Sequence, residues 1–217
     1  MSERVGYAIA KRASAAAAMI ALAKARDEAH RPALGAGTSG DPDLVARSLA
    51  GERAAFEALL RRHYDRMHRI AWRMTGSQSD AEDITQEVCC ALIEKLASFK
   101  GEAKFTTWLF GIVMNACRDH MRRGRRLKRL RAGFAVLTNL AARPDGRDLY
   151  QRNWMVSELS RLDSAFRETI VLVIGEDMTH AEAAAALGIA ESTVSWRMHE
   201  AKRRLSARTL KEVSDDL

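Results

Sequence analysis

Between residues 41 and 210 the apolar positions recur at intervals of three and four, the period of amphipathic helices. Asp41-Pro42 reads as a helix cap followed by proline in the first turn, and a short helix is expected over residues 44–49, broken near Gly51. A longer helix is expected over about 52–74, on the stripe Phe56, Leu59, Leu60, His63, Met67, Ile70, Ala71 and Met74. Ser79-Asp80-Ala81-Glu82 opens the next helix in the form of a capping box. Its apolar face is Ala81, Ile84, Val88, Ala91, Leu92 and Leu96. Its opposite face is Asp83, Gln86, Glu87, Cys90 and Glu94. After a loop at 99–102, a helix over about 104–123 carries Trp108, Leu109, Ile112, Val113, Ala116 and Met121. Pro144-Asp145-Gly146 interrupts the pattern. Beyond it, Trp154, Leu159 and Leu162 suggest one helix, and Phe166, Ile170, Val171 and Val173 a second. Residues 171–174 also suit a buried strand, but no partner strand is visible, so they are assigned to helix. The pattern predicts an all-α protein of two small helical domains.

The segment 179–205 carries the most specific spacing. Residues 179–187 form a short helix rich in alanine, Gly188 supplies a tight turn, Ile189 plugs the angle, and a second helix buries Val194, Met198, Ala201 and Leu205. A small residue at Ala184, glycine four later and a β-branched residue six after that is helix-turn-helix spacing. The second helix then turns Ser192, Ser195, Trp196, Arg197, His199, Lys202 and Arg203 outward, side chains able to bond phosphates and base edges. An ordinary helical hairpin with a glycine turn is the bland alternative. Agreement of the small residue, glycine, plug and stripe puts DNA binding ahead of it.

Charge adds a location. The net charge of +7 is concentrated at 123–150, with eight basic residues against two acidic. Such a run suits a polyanion, nucleic acid ahead of membrane, or a solvated linker; charge alone does not separate the two. No apolar run approaches the roughly 20 residues of a membrane span. The longest, at 13–23, is flanked by basic residues and lacks a clear cleavage site, so it reads as neither span nor signal peptide. Three cysteines (Cys89, Cys90 and Cys117), with no CxxC, argue against a disulfide framework or a zinc site and for a reduced, cytoplasmic protein. His63 and His68 are five apart and His120 stands alone, so no metal-ligand set converges. No nucleophile elbow, P-loop or HExxH is present. No cofactor or metal is expected, and an enzyme is the remote reading.

Two motifs in order resemble one family. The first runs from Asp80-Ala81-Glu82-Asp83-Ile84-Thr85-Gln86-Glu87-Val88 through Phe99-Lys100-Gly101-Glu102-Ala103-Lys104-Phe105-Thr106-Thr107-Trp108-Leu109 to Asn115-Ala116-Cys117-Arg118-Asp119. The second is the helix-turn-helix ending Ser192-Thr193-Val194-Ser195-Trp196-Arg197-Met198-His199. Together they resemble bacterial extracytoplasmic-function (ECF) sigma factors, the minimal class with only sigma regions 2 and 4. Trp196 stands where that family usually has a small residue, Ala183 where a larger apolar residue is usual, and Cys89-Cys90 in place of bulkier side chains. The expected organisation is an Ala-rich extension at 1–40, region 2 at 41–123, a basic flexible linker at 124–149, region 4 at 150–210 and a tail at 211–217.

The resemblance implies a transcription initiation factor that binds core RNA polymerase, recognises the −35 and −10 promoter elements and helps open the duplex. Asp80, Asp83, Gln86 and Glu87 would meet the clamp helices of the largest polymerase subunit. Lys100, Lys104, Phe105, Thr106, Thr107, Trp108, Asn115, Arg118 and Arg122 would hold the −10 element, where trapping an unstacked base offsets about a few kcal/mol of lost stacking. Trp108 is either a core residue shaping that pocket or a stacking platform; its place on the stripe favours the core. Ser192, Thr193, Ser195, Trp196, Arg197, His199, Lys202 and Arg203 would read or flank the −35 element. A Glu182–Arg197 pair is expected to fix the helix crossing. An anti-sigma factor is expected as a further partner, with no membrane insertion. The competing class is a conventional helix-turn-helix regulator that binds duplex DNA by itself.

Overall fold

The computed structural model describes residues 40–132 and 156–215, with side chains up to residue 126 in the first segment and 204 in the second. Every regular element among these residues is helical. α1 (Asp41–Leu49) is capped by the Gly40 backbone, so Asp41 is its first residue rather than its cap. Its carboxylate reaches instead to α2 (Arg53–Thr75), where it accepts from Arg62 Nη1 at 2.7 Å and meets His63 Nε2 at 3.0 Å. α2 buries Leu59, His63, Met67, Ile70, Ala71 and Met74, the expected stripe. α3 (Gln78–Lys95) is capped by Ser77, whose hydroxyl accepts from the Asp80 N–H at 3.2 Å, two residues earlier than the expected Ser79 cap. A short 3-10 turn (Leu96–Ser98) leads to the loop before α4 (Phe105–Ala132).

α4 runs nine residues past Arg123, into the segment read as linker. Arg, Lys and Leu are good helix formers, and nothing at 125–131 interrupts the pattern. The rest of that linker, the extension at 1–39, Trp154 and the side chain of Leu205 lie outside the described residues.

A helical turn at 156–160 leads to α5 (Ser164–Val173), which includes most of the apolar run whose residues also suit a strand. α6 (His180–Leu187) begins with a capping box: Thr179 Oγ1 accepts from Glu182 N at 3.1 Å, and Glu182 Oε2 accepts from Thr179 N at 2.9 Å. Gly188 closes α6 at φ 68°, a left-handed conformation costly for any residue with a Cβ. α7 (Glu191–Asp215) follows at once. Buried residues from both blocks form one continuous core, because α5 packs on α2 and α6 packs on α4.

Candidate polymerase and nucleic-acid interfaces

The polar face of α3 is open to solvent: Asp83, Gln86, Glu87, Cys90, Ile93 and Glu94 are all exposed, and Ile93 is 69% so. Two of its acids have neighbours the sequence did not reveal. Glu87 accepts from Arg123 Nη2 at 2.9 Å, and Asp80 meets His120 Nε2 at 3.3 Å, both across from α4. The first is exposed and the second half-buried, and the exposed one is weak enough to exchange for a partner's charges. Cys90 lies seven residues after Asp83, on the same face. Burial pushes the Cys89 thiol up, and it pushes the Cys117 thiol to about 12. Iodoacetamide on the native protein is therefore expected to label Cys90 first and Cys117 only after unfolding, as read by peptide mass spectrometry. Labelling of Cys117 at the rate of Cys90 would contradict the packing of α4.

The residues expected to hold the −10 element separate into two groups. Phe105 and Thr107 are buried, so neither reaches DNA as expected. The Phe105 ring lies 5.4 Å from His63 and 5.5 Å from Phe99, and the Trp108 ring lies tilted at 5.3 Å from Phe99 and 5.6 Å from Phe105. This aromatic cluster props the 99–104 loop from beneath, and Trp108 belongs to it. Lys100, Lys104, Asn115 and Arg122 are exposed, and Thr106 and Arg118 are partly so. Arg122 pairs with Asp119 at 2.8 Å, and Asn115 Oδ1 accepts from Arg118 Nη1 at 2.9 Å.

Two of these cations are held by the second block. Arg118 makes a forked bond to Glu168 of α5, Nη2–Oε2 at 2.7 Å and Nε–Oε1 at 3.0 Å. Lys104 Nζ meets Glu182 Oε1 at 2.6 Å, and Lys104, then Thr179, hold the Glu182 carboxyl below the usual range. Further along, Glu176 has a fully buried side chain between Arg66 at 2.9 Å and Arg73 at 3.2 Å, both on α2. Arg167 donates to Met74 O at 2.7 Å and to the carbonyls of Leu159, Ser160 and Leu162. Gly111 permits the close approach of α6, since a Cβ there would lie 2.9 Å from Ala186 O.

Sequence reasoning missed these docking residues. The readable signal was an acid, Glu168, three and four residues before Val171 and Leu172 and so on the buried side of its helix. A carboxylate there needs a cationic partner from another element. The expected Glu182–Arg197 pair does not form, because Glu182 is engaged by its own cap and by Lys104.

On α7, Val194, Met198 and Ala201 are buried and Ser192, Ser195, Trp196, His199, Lys202 and Arg203 are exposed. Thr193 and Arg197 lie at the margin. Ser195 sits to one side, its hydroxyl 2.9 Å from His180 Nδ1 on α6. Glu200 accepts from both Arg203 and Arg204, which hold its carboxyl at about 2. Arg204 also reaches Asp163 at 3.2 Å and lies over the Phe166 ring, both contacts within the block.

Residues 59–127 match the sigma-70 region 2 family model, and residues 159–207 match sigma-70 region 4. The ECF RNA polymerase sigma factor SigM of Mycobacterium tuberculosis is 33% identical over 179 residues, covering 81% of this chain and 89% of SigM. RNA polymerase sigma factor NccH of Alcaligenes xylosoxydans xylosoxydans is 33% identical over 177 residues, 78% of this chain and 94% of NccH. Among solved structures, CnrH in complex with the cytosolic domain of CnrY is similar with a TM-score of 0.59 and 30% identity, over 77% of this chain and 95% of that one. The sigma factor RpoE in complex with the anti-sigma factor NepR from Bartonella quintana gives 0.57 and 26%, over 72% and 96%. The chain belongs to the ECF sigma factors of the sigma-70 family. It is an alternative transcription initiation factor, and no described helix is long and apolar enough to cross a membrane.

Proposed function

We propose that the chain works in the cytoplasm, without catalysis of its own, by dividing three contacts between its two blocks. Residues 41–123 act as region 2 and 150–210 as region 4, with the basic segment at 124–149 between them. The half-buried Asp80 and the exposed Asp83, Gln86 and Glu87 dock on basic residues of the polymerase clamp. Lys100, Lys104, Thr106, Asn115, Arg118 and Arg122, propped by the aromatic cluster, line the −10 element. Exposed α7 residues read the −35 element. The observation that carries this reading is the solvent-open acidic face of α3 within one chain that also presents an outward-facing helix-turn-helix.

Promoter contact through Lys104 and Arg118 requires their release from Glu182 and Glu168, so the docked arrangement is a resting state that polymerase opens. The relatives solved with anti-sigma partners support an anti-sigma factor for this chain as well. Purified core polymerase is expected to initiate from a cognate promoter only when the chain is added. The free chain is expected to bind the same duplex weakly, since each reading surface is small and only a scaffold fixes their spacing. Tight sequence-specific binding by the free chain, with no effect on core polymerase, would favour the conventional regulator.

A further inference from the structure

Trp196 is the large apolar side chain that the described helix-turn-helix leaves exposed, at 59%. Ser192, Trp196, His199 and Arg203 follow the spacing i, i+4, i+7, i+11, which lines a single ridge. That ridge lies opposite the buried Val194, Met198 and Ala201. Ser195 stands beside it, tied to His180. The indole is therefore at the crest of the reading helix, with a hydroxyl on one side and an imidazole and a guanidinium on the other.

The indole is also held in place. Its ring lies 5.8 Å from Phe166 of α5 at a tilt of 44°. Phe166 in turn carries the Arg204 guanidinium at 4.4 Å from its centroid, and Arg204 is fixed by Glu200 and Asp163. A side chain already restrained loses little rotamer freedom on binding. Phosphates offer nothing to an apolar ring face. In the major groove the apolar group on a base edge is the thymine C5-methyl. A polar side chain at this position would select donors and acceptors alone, whereas the ring face of an indole also selects the methyl.

We propose that Trp196 reads thymine, through its methyl group, within the −35 element. This rests on the assignment of α7 as the −35 reader.

The test uses holoenzyme assembled from the full chain and core polymerase. A −35 consensus is selected from a randomised element, and each thymine in it is then replaced singly by deoxyuridine, which removes only the methyl. With the wild-type chain, one replacement is expected to weaken binding about fourfold, the value of one buried methyl group. Holoenzyme carrying Trp196→Ala is expected to ignore that replacement and to lose the thymine preference at that position on reselection. Trp196→Phe, which keeps an apolar ring, is expected to retain part of both effects. Circular dichroism and core binding report that the variants fold.

A consensus without thymine, insensitivity of the wild type to every replacement, or equal sensitivity in Trp196→Ala would each overturn the proposal. The His199→Ala and Ser192→Ala variants separate the two levels. If they shift the consensus while Trp196 does not matter, only the methyl readout is wrong. If they also leave it unchanged, α7 is not the reader.

Discussion

Charge reversal at Asp83 and Glu87 together is expected to abolish binding to core polymerase, with a loss of at least about a hundredfold, while helical content by circular dichroism stays unchanged. Both residues are exposed on α3, so the folded chain tolerates the change, whereas like charges placed across an interface cost several kcal/mol. The Glu87–Arg123 contact supplies an internal control. Arg123→Ala frees Glu87 from its neighbour on α4 and is expected to leave core binding equal or tighter. Titration of labelled core polymerase with each variant gives the answer, and normal binding by Asp83→Lys/Glu87→Lys would end the assignment of this face.

The second large effect is expected at Glu176. Its side chain is fully buried between Arg66 and Arg73, so Glu176→Gln leaves two guanidinium groups facing a neutral amide. Breaking a buried pair by removing one charge costs about 3–5 kcal/mol. The lower end applies here, because Arg66 is about one third exposed and water shares its charge. The contact joins α2 to the segment after α5, so the loss falls on the docking of the two blocks. Small-angle scattering is expected to report a larger radius of gyration for the variant. Calorimetry is expected to resolve two transitions where the wild type has one. An unchanged radius with a merely lowered single transition would mean that Glu176 stabilises one block only. The opened variant is also expected to bind single-stranded −10 DNA better than wild type, since Lys104 and Arg118 are no longer engaged.

Much of this fold was legible in the sequence because its information is periodic. The stripe of α2, the two faces of α3 and the Gly188 turn each follow from spacing within about 20 residues, where side-chain direction is set by the helix itself. Cap positions were less legible: Asp41 and Ser79 are good capping residues by type, but Gly40 and Ser77 take those places. Asp41 is drawn away by Arg62 and His63, twenty-odd residues on, and no local pattern announces that. The candidate site divides in the same way. The exposed residues of α3 and α7 were readable as outward faces. Phe105 and Thr107 were not readable as buried, because the first turn of α4 is covered by elements that approach from elsewhere in the chain. The docking of the two blocks was the least legible part, since Arg118 and Glu168 are fifty residues apart and Arg66 and Glu176 more than a hundred.

Glu182 divides its carboxylate. Oε1 faces Lys104 across the junction, while Oε2 stays with Thr179 at the start of its own helix. When Lys104 departs, the cap remains. Release of Lys104 therefore breaks no turn of α6. The exposed Lys104 contact adds little resistance to separation, which is opposed chiefly by the Arg118–Glu168 fork and the buried Glu176 pair. The start of the helix-turn-helix thus keeps its shape whether or not Lys104 is in place.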